Sequence, residues 1–176
     1  MRIYDPSRFK ARALTFRRFG PLERFDHHRF GIPRADPDHG VWYGAFKFPT
    51  ALVEVFGDTR VVEYGDRRVA IVRLTRDIQL LNLASGAMAA GTVAALAAVT
   101  SRRLSQSWSR YFYTRVGWFG RVDGLYYLGA HNTGKCVLLY ERSENALECD
   151  ERTTTKLSDP KWRPAILRAM QTYNLF

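Results

Sequence analysis

GVWYGAFKFPTALVEVFGD, residues 40–58, is the stretch that sets the architecture. Val41, Trp42, Tyr43, Ala45 and Phe46 form a run that reads as a buried strand over residues 40–48. Pro49-Thr50 then opens a short helix through Ala51, Leu52, Val53, Glu54, Val55 and Phe56, because the N–H a proline lacks has no helical partner at that position. Gly57-Asp58 ends it. Outward from here the two element types mix. Arg2-Ile3-Tyr4 predicts a first strand, stopped by Asp5-Pro6. Residues 10–38 hold many Arg, His, Pro and Gly with no steady period, which predicts a loop with short helical pieces. So long an irregular stretch in a compact chain is usually functional. Further strands are expected at residues 60–64, 68–74 and 78–83, and an Ala-rich buried helix at 83–99. Leu104, Trp108, Tyr111 and Phe112 then mark one stripe of an amphipathic helix. Strands at 122–128 and 135–140 flank a loop with His131, Asn132, Thr133 and Gly134, and a last helix covers 162–173, with Pro164 in its first turn. Without regular βα alternation, the expected class is α+β: a compact mixed-sheet core with flanking helices, in one domain spanning residues 1–176.

Composition bounds the function. Of 176 residues, 46% are hydrophobic and 25% charged, which fits a globular protein with its own core and excludes a disordered one. Aromatic residues, at 14%, exceed ordinary core needs enough to line a cleft as well. Lys and Arg number 27 against 17 Asp and Glu, a net charge of +10 that attracts anionic partners: nucleic acid, phosphate-bearing metabolites or an acidic protein. Most of the basic residues are Arg, suited to bidentate contact with phosphate. Cys136 and Cys149 form no CxxC pair, so free thiols are expected rather than a disulfide framework or zinc site. The start of the chain is charged and lacks the apolar segment of a secretory leader, and 83–99 is too short and too weakly apolar for a membrane span. A cytoplasmic protein is therefore expected. Neither a glycine-rich dinucleotide or phosphate loop nor a serine nucleophile elbow occurs.

Glu54 is the most informative polar residue, set among Leu52, Val53, Val55 and Phe56. An unpaired carboxylate buried in such a segment is costly, so it must face solvent or serve a site. Tyr43, on the preceding strand, and Arg24, in the long loop, are the groups to place with it. His27, His28 and His39 share that loop, but adjacent His27 and His28 point apart in extended chain, and no metal is expected.

Arg2-Ile3-Tyr4, Arg24-Phe25-Asp26, Trp42-Tyr43 and Ala51-Leu52-Val53-Glu54 follow one another, then Asp123-Gly124-Leu125-Tyr126-Tyr127 and a hydrophobic strand from Cys136 to Tyr140. In order and spacing this set, over residues 2–147, resembles the RES family, named for its Arg, Glu and Ser. The resemblance implies an ADP-ribosyltransferase-like fold. It implies a toxin that cleaves NAD at the nicotinamide–ribose bond, with water or phosphate as acceptor and an Xre-type helix-turn-helix antitoxin as partner. NAD would be the substrate, with no metal; direct nucleic-acid binding is not expected. Breaking that bond builds positive charge on the ribose, which a carboxylate stabilises. The implied catalytic residues are Glu54, Tyr43 and Arg24, and the implied NAD contacts are Arg2, Arg24, Tyr43, His28 and Asn132. The chain departs from the family where the Ser usually sits: Gly129 occupies that place, followed by Ala130. His131, Asn132 or Thr133 could supply the polar group, or turnover is altered or lost. Two alternatives stay open at this point: ADP-ribosyl transfer to a macromolecule, and a catalytically impaired member that binds NAD or RNA.

Overall fold

The computed structural model describes all of residues 1–176. It is a mixed α/β structure of several small sheets. The strands are β1 (Arg2–Tyr4), β2 (Phe19–Gly20), β3 (Arg34–Ala35), β4 (Val41–Ala45), β5 (Arg68–Ala70), β6 (Arg73–Leu74), β7 (Leu80–Asn82), β8 (Gly124–Leu128), β9 (Lys135–Tyr140), β10 (Leu147–Glu148) and β11 (Thr155–Lys156). The α-helices are α1 (Phe48–Phe56), α2 (Arg102–Thr114), α3 (Val116–Phe119) and α4 (Arg163–Tyr173).

The main sheet has the order β4-β9-β8-β7. β9 runs antiparallel between β4 and β8, with Ala45 and Tyr127 both opposite Cys136. β7 joins parallel to β8. Side chains alternate across this sheet, and both faces are covered. Val41, Ala45, Leu125, Tyr127, Cys136, Leu138 and Tyr140 belong to a core of 26 buried residues that includes Leu52, Val53 and Phe56 of α1. Trp42 and Leu139 face the other way, into a smaller cluster with Phe16 and Leu147. Burial on both faces explains why residues 41–45 read as a continuous apolar run rather than an alternating one, whereas Phe46, just past the strand, is exposed. A second, antiparallel sheet, β1-β5-β11, meets the first where the Met1 and Ala45 backbones exchange hydrogen bonds. α4 packs behind α1, and the rings of Phe48 and Trp162 stack 4.6 Å apart.

The expected element types hold for most of the chain, with four corrections. Residues 10–38 contain no helical piece; turns and loop there carry only the two-residue strands β2 and β3, which pair with each other. Residues 83–99 are turns and one short 3-10 segment, Ala94–Ala97, not a helix. Asn82 explains the failed start: its side chain accepts from the Ala84 and Ser85 N–H groups. Gly91 then adopts φ +77°, and glycines at 86 and 91 each weaken a helix by about 1 kcal/mol. Residues 60–64 are not a strand. Arg60 has φ +58°, and the backbone of this segment pairs with Phe176 at the end of the chain instead. Finally, 68–74 divides into β5 and β6, which join different sheets. No helix is long and apolar enough to cross a membrane.

Candidate active site

A cavity of about 360 Å³ opens where α1, the start of β1, β4 and the start of α2 meet. Arg2, Arg24, Tyr43 and Glu54 all line it, as do Arg8, Glu23, Asp58, Arg102, Tyr127, His131 and Cys136. Residues separated by up to 134 positions are thus brought to one surface.

Glu54 gets there because α1 buries Leu52, Val53 and Phe56 and turns position 54 toward the opening. Its carboxylate has one hydrogen bond, a long one of 3.4 Å from the backbone N–H of His131. Burial raises its pKa above the ordinary value of 4.5, against the opposing charges of His131 and Arg24. Beneath it lies Gly129. A Cβ at that position would stand 2.5 Å from Glu54 Oε1 and 3.2 Å from Cys136 Sγ. The carboxylate therefore occupies the space that any side chain at 129 would need. Burial, with the Glu54 charge beside it, pushes the Cys136 thiol up to about 12, so this sulfur is a neutral wall and not a nucleophile at neutral pH.

Across the cavity the Arg24 guanidinium donates to the Val99 carbonyl. Arg2 donates to the carbonyls of Ala13 (3.2 Å) and Thr15 (2.7 Å) and sits 5.6 Å from the Trp42 ring centroid. Burial brings its pKa down to about 10, which leaves it charged at neutral pH. At the rim, Arg102 from the first turn of α2 bonds Asp58 at 3.2 Å and the Leu22 carbonyl at 3.1 Å, and His131 lies 3.5 Å from Asp58. With Glu23 and Asp58 both paired to Arg102, Glu54 is the one carboxylate of the lining without a cationic side chain in contact.

The Tyr43 hydroxyl faces away from solvent. It donates to Asp26 Oδ1 at 2.8 Å and accepts from the Phe25 N–H at 3.2 Å, so the ring wall, not the hydroxyl, is available to a ligand. Burial lifts its pKa well above 10, and the Asp26 charge adds to the effect.

Two sequence candidates stand elsewhere. His28 does not line the cavity. Its ring is buried against Gly20, neither ring nitrogen has a hydrogen-bond partner, and Nδ1 is 4.0 Å from Asp26. Asn132 also lies off the lining: Nδ2 donates to Thr50 at 3.4 Å, and Oδ1 accepts from the Gly134 N–H at 3.0 Å. It shapes the β8–β9 turn, in which Thr133 has φ +52°. His27 and His39 belong to a closed cluster under the loop. His27 Nε2 is bonded to Glu141 Oε2 at 2.9 Å, and His39 Nδ1 to Asp36 at 3.0 Å. No group of three or more His, Cys, Asp or Glu side chains is placed to hold a metal ion.

Residues 1–163 match the RES domain family. The chain belongs to the RES family. No curated protein matches it, and no solved structure does. Within this RES domain the residues that sequence reading passed over are Arg8, Glu23, Asp26, Asp58, Arg102, Tyr127 and Cys136. For Tyr127 and Cys136 a signal existed, since the strand alternation that buries Leu125 and Leu138 carries them to the same face. For Arg102 and Asp58 none did, because each sits at a helix end where only the packing sets direction.

Proposed function

We propose that this RES domain is a toxin acting in the cytoplasm on NAD, cleaving the nicotinamide–ribose bond, and that an Xre-type antitoxin neutralises it. Glu54 carries the proposal: a carboxylate with one long hydrogen bond, next to an aromatic wall and opposite several guanidinium groups, in a cavity of about 360 Å³. That size falls within the range of small-molecule sites.

The chemistry follows from these positions. The bond between the ribose C1′ and the pyridinium nitrogen breaks, its electron pair neutralises the ring, and nicotinamide leaves uncharged. No general acid is needed. Positive charge develops at C1′ and the ring oxygen, and Glu54, ionised, stabilises it. A water or phosphate oxygen then bonds to C1′. With water, one proton is released and ADP-ribose is the second product. Tyr43 offers the nicotinamide a flat face. Arg24 and Arg2 supply charge for the diphosphate, with bidentate donors if Arg24 exchanges the Val99 carbonyl for phosphate oxygens. Gly129, where the family has Ser, fits a site in which the carboxylate itself fills that space. The ADP-ribosyltransferase-like relationship belongs to this proposal, since both chemistries share the first half-reaction.

The test is to incubate purified protein with NAD, with and without phosphate, and to follow nicotinamide and the ribosyl product. Release of nicotinamide with ADP-ribose or its 1″-phosphate is expected, together with growth arrest on expression. Label transferred from NAD to a macromolecule would indicate a transferase. No release at high enzyme concentration and no arrest would reject the proposal.

A further inference from the structure

We propose that Asp26 is the positioning residue of this cavity: a carboxylate that does not touch the ligand but holds the Tyr43 ring and the segment bearing Arg24 in one geometry. The inference rests on the function proposed above for its kinetic meaning and on hydrogen bonds alone for its structural content.

Asp26 is 1% exposed and accepts five hydrogen bonds. Arg17 Nη2 donates to both oxygens, at 2.9 and 2.8 Å. The Leu22 and Glu23 N–H groups donate to Oδ2 at 2.5 and 2.9 Å. The Tyr43 hydroxyl donates to Oδ1 at 2.8 Å and in turn accepts from the Phe25 N–H, closing a ring through Asp26, Tyr43 and Phe25. These donors come from separate places: the chain before β2, the loop at 22–25, and β4. Glu23, Arg24 and Tyr43 line the cavity, whereas Arg17 does not; it reaches Asp26 from a neighbouring cavity of about 370 Å³. Asp26 thus couples the two walls that would grip a diphosphate and a flat ring, and its charge is balanced from behind, away from the ligand. Of the two imidazoles that feel its charge, His27 is bonded to Glu141, and His28 Nδ1 lies 4.0 Å away; burial lowers the pKa of both, favouring neutral rings.

An amide cannot replace this carboxylate. Every neighbour is a donor, so whichever way an Asn is turned, its NH₂ meets N–H or O–H groups. In the Asp26→Asn variant of the full chain, KM for NAD is expected to rise about 10-fold and kcat to fall about 10-fold, because misplacement of a gripping group affects both. A variant that merely lost part of its folded population would show a lower kcat at unchanged KM, and that result overturns the proposal. A second arm needs no NAD: trypsin should cut after Arg24 about 10-fold faster in the variant than in the wild type while the cooperative melting transition persists. Equal cutting rates overturn the proposal. Should the wild type release no nicotinamide, the proposed activity fails, and the trypsin arm still decides the role of Asp26. Should Asp26→Asn fail to fold, Arg17→Gln removes the two bonds made from behind. KM raised about 3-fold with faster cutting supports the role, and wild-type values of both overturn it.

Discussion

Glu54 and Glu141 are two carboxylates of the same type in opposite surroundings. Glu141, just after β9, accepts from His27 Nε2 at 2.9 Å, the Tyr113 hydroxyl at 2.6 Å and the Gly40 N–H at 3.1 Å. Burial works against its charge, yet those bonds bring its pKa down to about 2. Around it the rings of His27, Tyr113 and Tyr140 pack at 4.3 to 5.1 Å, and Ser109 links Tyr140 to the Phe25 carbonyl. This region fastens the 24–40 loop to the sheet and to α2, and the Glu141 carboxylate in it is engaged by protein donors. Glu54 has a single long bond, a raised pKa and an open cavity in front of it. Protein groups satisfy the first charge. The second has no such set of partners, which is what the proposed stabilisation of a cationic ribose requires.

The largest expected effect comes from making Glu54 resemble its satisfied counterpart. Glu54→Gln should lower nicotinamide release about 10²- to 10³-fold, the range for removing one group aimed at a developing charge. It should also stabilise the protein. A carboxyl whose folded pKa is raised favours folding most when protonated, and that contribution is lost as pH rises through the folded pKa, so at pH 7 the ionised form carries a cost that Gln lacks. A rise in Tm is expected by thermal melting at pH 7, shrinking as the pH is lowered.

Glu141→Gln should do the reverse. Leaving His27 and the Gly40 N–H with a weaker acceptor should cost about 3 kcal/mol, measured by urea denaturation. The pH dependence has a definite sign. Because the folded pKa is about 2 against an ordinary 4.5, the advantage of wild type over variant is complete above pH 4.5 and fades as pH falls toward 2. Equal stability of the two proteins at pH 7 would show that the Glu141 cluster is not the fastening described.

Gly129→Ala places a methyl 2.5 Å from Glu54 Oε1. A carboxylate at the end of a flexible side chain can move aside, so stability should change little while turnover falls about 10-fold. An unchanged rate would mean that the position of the Glu54 carboxylate over Gly129 is immaterial. Smallest of all, wild-type turnover should decline on acidification while the pH is still above 4.5, as Glu54 takes up its proton, and a pH–rate profile reads this directly.

How much of this was legible in the chain follows from particular residues. Residues 40–58 gave β4 and α1 because a long apolar run with Pro49 and Gly57 at the right places allows few alternatives. Arg2, Arg24, Tyr43 and Glu54 were recoverable because each lies in a short motif of the RES family. The Ala-rich stretch misled because alanine suits both helix and turn, and the side chain of Asn82 and the backbone freedom of Gly91 decided between them. His28 and Asn132 were misplaced for a related reason: a polar residue in a loop has no periodicity to point it, and these two point into the protein and into a turn. Asp26 lies in the Arg24-Phe25-Asp26 motif, but only the folded chain shows that Arg17, Leu22, Glu23 and Tyr43 all donate to it.

On the proposed function, the cavity at Glu54 is where the nicotinamide–ribose bond is held. A crystal structure of the Glu54→Gln variant grown with NAD tests it most directly. The expected density is intact NAD with its nicotinamide ring against Tyr43, the anomeric carbon beside residue 54 and the diphosphate toward Arg24 and Arg2. NAD bound at another surface, or a cavity left empty at millimolar NAD, would contradict it.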